Sequence, residues 1–180
     1  MKYWVLKTRE DWNRKDFTDH WDDFKAESVI AIGWEEIDVA PDRTSLDEIK
    51  AAVKKAYDGS DKAAATSAGT IRKFVSISQG DKVLLCRGYA PNQVKKVHLY
   101  GTALVTGSFE DHDSKGWRWR FRHKAKIEPF GLNGKDVPKE FLVRSLQKQS
   151  LLQTLHEISK KGFERVVEDL GKSCSENRGE

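Results

Sequence analysis

The clearest alternation of apolar and polar positions is the stretch KGWRWRFRHKAKI at residues 115–127. Successive side chains of a strand point to opposite faces. One face therefore carries Trp117, Trp119, Phe121, His123, Ala125 and Ile127, and the other Arg118, Arg120, Arg122, Lys124 and Lys126. A half-buried strand usually shows mixed polar residues outward; here every outward residue is basic. Such a like-charge ladder is unfavourable unless solvent, acids or an anionic ligand screens it. Phosphate is one such ligand, because Lys and Arg bind it with release of counterions. Pairing with the acidic N-terminal region is the competing explanation.

The remaining pattern mixes strands and helices. Residues 3–6 read as a short strand and residues 28–34, SVIAIGW, as a buried one. The segment 9–24 reads as loop and short helix laid over the core. Ser45 and Glu48 form a capping box, opening a helix whose apolar face holds Leu46, Ile49, Val53, Ala56 and Tyr57 and which ends at Asp58-Gly59. A second helix is expected over 67–75. Strands are expected over 82–87, over 96–106 with a bulge or bend at Gly101, and over 117–127, with 110–116 as a polar turn. Pro138 opens a short helix to Leu146. Residues 150–170 read as one helix, interrupted by Gly162 and capped by Gly171.

Charge sharpens this picture. The net charge is only +4, yet acids exceed bases by about eight over 8–48, and bases exceed acids by about six over 87–126. A basic half on a nearly neutral chain is the electrostatic footprint of a nucleic-acid binder, or an ordinary solvated face. Six Trp residues in 180 ask for an explanation, because so large a side chain is costly to place. Trp117 and Trp119 read more naturally as core. Trp34 ends a buried strand just before Glu35-Glu36, where an exposed ring suits base stacking.

Several classes fall away. No apolar run approaches a spanning helix, and the N-terminus lacks the pattern of a signal peptide. Two cysteines, Cys86 and Cys174, make a structural disulfide or an ordinary zinc site improbable and point to a cytoplasmic setting. Pro41-Asp42 with Glu48-Ile49-Lys50 matches a metal-nuclease pattern, but a helix turns Glu48 and Lys50 about 200° apart, and Glu48 serves the cap. The run Glu110-Asp111-His112-Asp113 reads as a turn rather than a metal site. No phosphate loop, nucleophile elbow or Cys/His dyad is present, so no cofactor or catalysis is implied.

The strand 3–7, the strand ending Ile32-Gly33-Trp34, the helix reaching Phe74, then Gly80-Asp81-Lys82-Val83-Leu84-Leu85 and Gly101-Thr102-Ala103-Leu104-Val105, come in an order that resembles the PUA-like superfamily. The likeness is greatest to EVE and YTH-like domains attached to methyl-directed restriction systems, and it covers roughly residues 1–130. It implies an α+β fold over 1–130, a partly open β-barrel with flanking helices, to which the residue pattern adds a helical extension over 131–171 and a mobile tail over 172–180. It further implies an aromatic cage for a modified base, flipped from a duplex or taken from a single strand, with Trp34, Trp117, Tyr89 and Asn92 as base-binding residues. Arg118, Arg120, Arg122, Lys124 and Lys126 would then hold phosphates.

The expected function is therefore a non-enzymatic reader of a modified base, with DNA favoured over RNA. An RNA-binding reader of methylated adenine and a protein-interaction domain are the alternatives. A membrane partner is not expected. In a longer relative the C-terminus would lead to an effector such as a nuclease or motor.

Overall fold

All of β1 (Tyr3–Lys7) is buried because the strand lies between two cores. Trp4 and Leu6 point into one, and Tyr3 and Val5 into the other. The same alternation runs through β3 (Lys82–Cys86), which pairs with β1 in parallel: Val83 and Leu85 enter the first core, Leu84 and Cys86 the second. The computed structural model describes residues 1–8, 19–34, 36–87, 95–112, 120–146 and 154–175.

Among these residues one sheet curls into a half-barrel with five helices around it. Its strand order is β2-β5-β4-β3-β1-β7, with β6 paired to β4. The further strands are β2 (Val29–Ile32), β4 (Lys96–Asp111), β5 (Phe121–Pro129), β6 (Lys135–Pro138) and β7 (Leu155–Ile158). The first core is covered by α1 (Trp21–Glu27), α2 (Leu46–Tyr57) and α3 (Asp61–Val75), the second by α4 (Lys139–Leu146) and α5 (Lys160–Ser175). The α+β class with flanking helices and a helical C-terminus is as expected.

Local chemistry sets the elements. Ser45 Oγ accepts from the Glu48 amide and the Glu48 carboxylate accepts from the Ser45 amide, so the capping box forms, and Asp58 closes α2 in the left-handed conformation. Ser60 caps α3, which begins earlier than the apolar pattern indicates. Asp81 ties the start of β3 to β1: it accepts from the Lys2 amide at 2.6 Å, Trp4 Nε1 at 3.1 Å and the Ser78 amide at 3.1 Å.

β4 bends twice. Leu85 pairs with Gly101 but Cys86 with Leu99, a register shift at the expected bend. A Cβ on Gly101 would collide with the Glu128 carbonyl and come within 2.8 Å of Pro129 Cα, so only glycine fits under β5. A second shift separates Val105 from Phe109, and Gly107 passes over Lys124 there.

The C-terminal region departs from its expected form. Residues 155–158 are a strand, not helix: β7 pairs with β1, Leu6 opposite Leu155 and Tyr3 opposite Ile158. The helical spacing of Leu151, Leu152, Leu155 and Ile158 is real, but the open edge of β1 offers Leu155 and Ile158 one core each. Gly162 does not interrupt a helix; it lies in the first turn of α5, where a Cβ would sit 2.9 Å from the Ser145 carbonyl oxygen. α5 then continues through Gly171 to Ser175.

Candidate nucleic-acid interface

Three strand ends meet at one corner of the sheet. Ile32, the last residue of β2, pairs with Phe121, and Phe121 pairs with Asp111 at the end of β4. Trp34 follows two residues after Ile32, with φ of 73°. A positive φ is uncommon outside glycine and an outlier for a bulky residue. It costs about 1–3 kcal/mol and persists only where the surroundings enforce it. The indole is half-buried and packs on the first core. The chain after it is pinned: Ile37 is buried and its amide donates to the Trp34 carbonyl at 3.4 Å, and the Glu36 amide donates to Tyr57 Oη at 3.3 Å.

Arg120 completes the pinning. Its Nε donates to Asp111 Oδ1 at 2.6 Å and its Nη2 to Asp111 Oδ2 at 3.1 Å. Nη1 donates to the Ile37 carbonyl, and Nη2 also to the Val39 carbonyl at 3.1 Å. The guanidinium lies 5.0 Å from the Phe121 ring centroid, and the side chain is only 13% exposed.

The alternation read over 121–127 is present: Phe121, His123 and Ala125 are buried, and Lys124 and Lys126 are exposed. The basic face nevertheless divides. Arg122 is 11% exposed; its Nε meets Glu110 Oε2 at 2.9 Å, its Nη2 meets His112 Nε2 at 2.6 Å, and its Nη1 lies 3.9 Å from Glu27. Arg120 and Arg122, expected at phosphates, thus direct their donors to the protein's own acceptors. The acids responsible are mainly Glu110 and Asp111, expected in a turn but placed by β4 opposite Arg122 and Phe121. Glu27, from the acidic N-terminal region, adds the third carboxylate.

Lys124 and Lys126 differ, with side chains 66% and 67% exposed, 3.7 Å from Glu110 and 2.9 Å from Glu128 respectively. Both line an open cleft of about 550 Å³ with Glu27, Ser28, Thr106 and Arg122, where β4 shifts register against β5. Trp34 is not among its walls.

Trp117, Tyr89, Asn92 and Arg118 lie outside the described residues. The strand ends that bracket them are described. Arg87, before residues 88–94, pairs with His98 near the start of β4, whereas Trp34 departs beside Asp111 at its far end. The ladder thus places Arg87 and Trp34 at opposite ends of β4.

One cluster was missed from sequence. Asp19 accepts from Thr8 Oγ1 at 2.8 Å and from Tyr100 Oη, and Trp21 stacks on Tyr100 at 4.9 Å. Burial, then the Asp19 carboxylate, pushes the Tyr100 hydroxyl pKa up. Burial likewise lowers the Lys7 pKa and raises that of Cys86 to about 12. A single acid in an acidic run gives no signal for this role. Among the described residues no group of three or more His, Cys, Asp or Glu is placed to hold a metal ion, and no helix is long and apolar enough to cross a membrane.

Solved structures to which the chain is similar include a hypothetical protein from Leishmania major, at 16% identity and TM-score 0.49 over 96% of both chains. The YTH domain of Zygosaccharomyces rouxii MRB1, in complex with N6-methyladenosine RNA, is 15% identical with TM-score 0.43, over 94% of this chain and 86% of that one. Human THYN1, in complex with DNA containing 5-methylcytosine, is 10% identical with TM-score 0.41, over 94% and 98%. No family model matches the sequence, and no curated protein does.

Proposed function

We propose that this chain is a nucleic-acid-binding module, not an enzyme, which recognises a modified base by stacking it on Trp34. The observation that carries the reading is the backbone of Trp34: a half-buried indole at a sheet corner, kept at a φ of 73° by a pinned loop. Strain of this kind is maintained where a side chain must be held for a task. Stacking on an aromatic ring contributes about 1–3 kcal/mol per base. Flipping a base from a duplex costs a few kcal/mol. Cationic contacts must then supply net affinity, and the exposed Lys124 and Lys126 at their cleft are the described groups suited to phosphate. A methyl group filling an apolar slot would add discrimination of about 1–3 kcal/mol.

DNA is the expected polymer. The test is a binding panel of DNA and RNA oligonucleotides, each plain, adenine-methylated or cytosine-methylated, with the parent protein and Trp34→Ala. The parent should prefer one modified DNA, and Trp34→Ala should lose that preference while retaining weak general binding. A preference for the RNA arm identifies an RNA reader, because the 2′-OH is the discriminating group. Full preference in Trp34→Ala, or no binding to any arm at moderate salt, sinks the proposal.

A further inference from the structure

We infer that Arg120 is a positioning residue: held by Asp111, it clamps the loop after β2 and thereby keeps the Trp34 indole in its base-stacking pose. The inference rests on the reading of Trp34 given above and assigns Arg120 a role other than gripping the ligand.

The geometry runs from acid to ring. Asp111 receives two hydrogen bonds from Arg120, which fixes the plane of the guanidinium. The remaining donors point at the main chain, to the carbonyls of Ile37 and Val39. Ile37 in turn donates its amide to the Trp34 carbonyl, so the clamp closes on Trp34 within one turn of chain. The carbonyls are neutral acceptors reached by a charged donor at a site that is 13% exposed, where such bonds are strong. Arg120 also adjoins Phe121, the register partner of Ile32, so strand pairing and clamp lock the same corner.

A bulky residue at positive φ returns to the ordinary region once its surroundings stop opposing it. Release of the Ile37 and Val39 carbonyls weakens that opposition, and the indole then shifts from its pose. Lysine cannot replace arginine here: it carries the charge but not the planar fork that reaches one carboxylate and two carbonyls together.

The test uses Arg120→Lys, Asp111→Asn and Trp34→Ala, singly and with Arg120→Lys combined with Trp34→Ala, against DNA and RNA oligonucleotides that are plain, N6-methyladenine-containing or 5-methylcytosine-containing. Arg120→Lys should lower the preference for the modified oligonucleotide about fivefold or more, as expected for a displaced stacking ring. In the Trp34→Ala background it should have no further effect, and the slope of log affinity against log salt should hold its value. Asp111→Asn should move preference in the same direction, which keeps the test open if Arg120→Lys folds poorly.

A drop that persists in the Trp34→Ala background would show that Arg120 contacts the ligand directly and would overturn the inference. Unaltered preference in folded Arg120→Lys overturns it as well. The emission of Trp34 alone, taken as parent minus Trp34→Phe, should shift in the free protein on Arg120→Lys. This readout does not depend on a ligand. If Trp34→Ala leaves preference intact, the base-reading proposal fails, yet the emission still decides whether Arg120 sets the ring; an unshifted spectrum rejects the clamp.

Discussion

Arg122 and Glu110 are direct register partners across the β4–β5 ladder, and their side chains meet at 2.9 Å on a face where Arg122 is 11% exposed. A cation and an acid on one rung stabilise the pairing that brought them together. Removing Arg122 deprives the Glu110 carboxylate of its nearest cation at a partly buried site and leaves it Lys124 at 3.7 Å. We expect Arg122→Met to lower stability by about 2–4 kcal/mol in urea unfolding, with Glu110→Leu added to it restoring most of the loss. A loss below 0.5 kcal/mol would show that the pair is solvated.

The division of the basic face fixes the salt dependence. With Arg120 and Arg122 occupied internally, Lys124 and Lys126 are the described exposed cations of the row. Lys124→Ala with Lys126→Ala should weaken plain and modified duplex DNA alike and flatten the salt slope by about 1.8. Titrations at several salt concentrations check this; an unchanged slope places the phosphates elsewhere.

His123 gives the fold a pH dependence. It is buried, its Nε2 lies 3.0 Å from the Phe74 carbonyl, and burial lowers its pKa from the ordinary 6.5. The unfolded chain therefore takes up this proton more readily than the folded one. Stability from this group is complete above pH 6.5 and falls as pH drops below it, by at most about 1.4 kcal/mol per unit. Unfolding midpoints from pH 7.5 to 5 should decline for the parent and less steeply for His123→Gln, which keeps the donor to Phe74.

Cys86 should be chemically silent in the folded protein. It is fully buried in the second core, and burial raises its pKa to about 12. With Cys174→Ser as background, reaction with an aromatic disulfide reagent at pH 8 should proceed only at the rate of unfolding. Rapid modification of the folded protein would contradict the packing of β3.

Sequence carried the local features well. The Ser45–Glu48 box, the helix ending at Asp58 and the inward set Phe121, His123 and Ala125 all follow from short-range rules. What escaped it depends on partners distant in the chain. Glu110 and Asp111 sit in a polar run that reads as a turn, and only the ladder shows that they neutralise two arginines. Leu155 and Ile158 have helical spacing, and only the free edge of β1 makes them a strand. Trp34 could be singled out as a ring at a strand end, but neither its left-handed backbone nor the Arg120 clamp leaves any mark in composition.

The placement of β1 has a consequence for biosynthesis. β1 is flanked by β3, which emerges some eighty residues after it, and by β7, which emerges about one hundred and fifty residues after it. A nascent chain must therefore carry Trp4, Val5 and Leu6 with bare hydrogen-bonding edges until those segments emerge, a template for unwanted pairing. Closure by Leu155–Ile158 removes the last bare edge of β1, and truncation before residue 155 should yield aggregates in place of a smaller folded module.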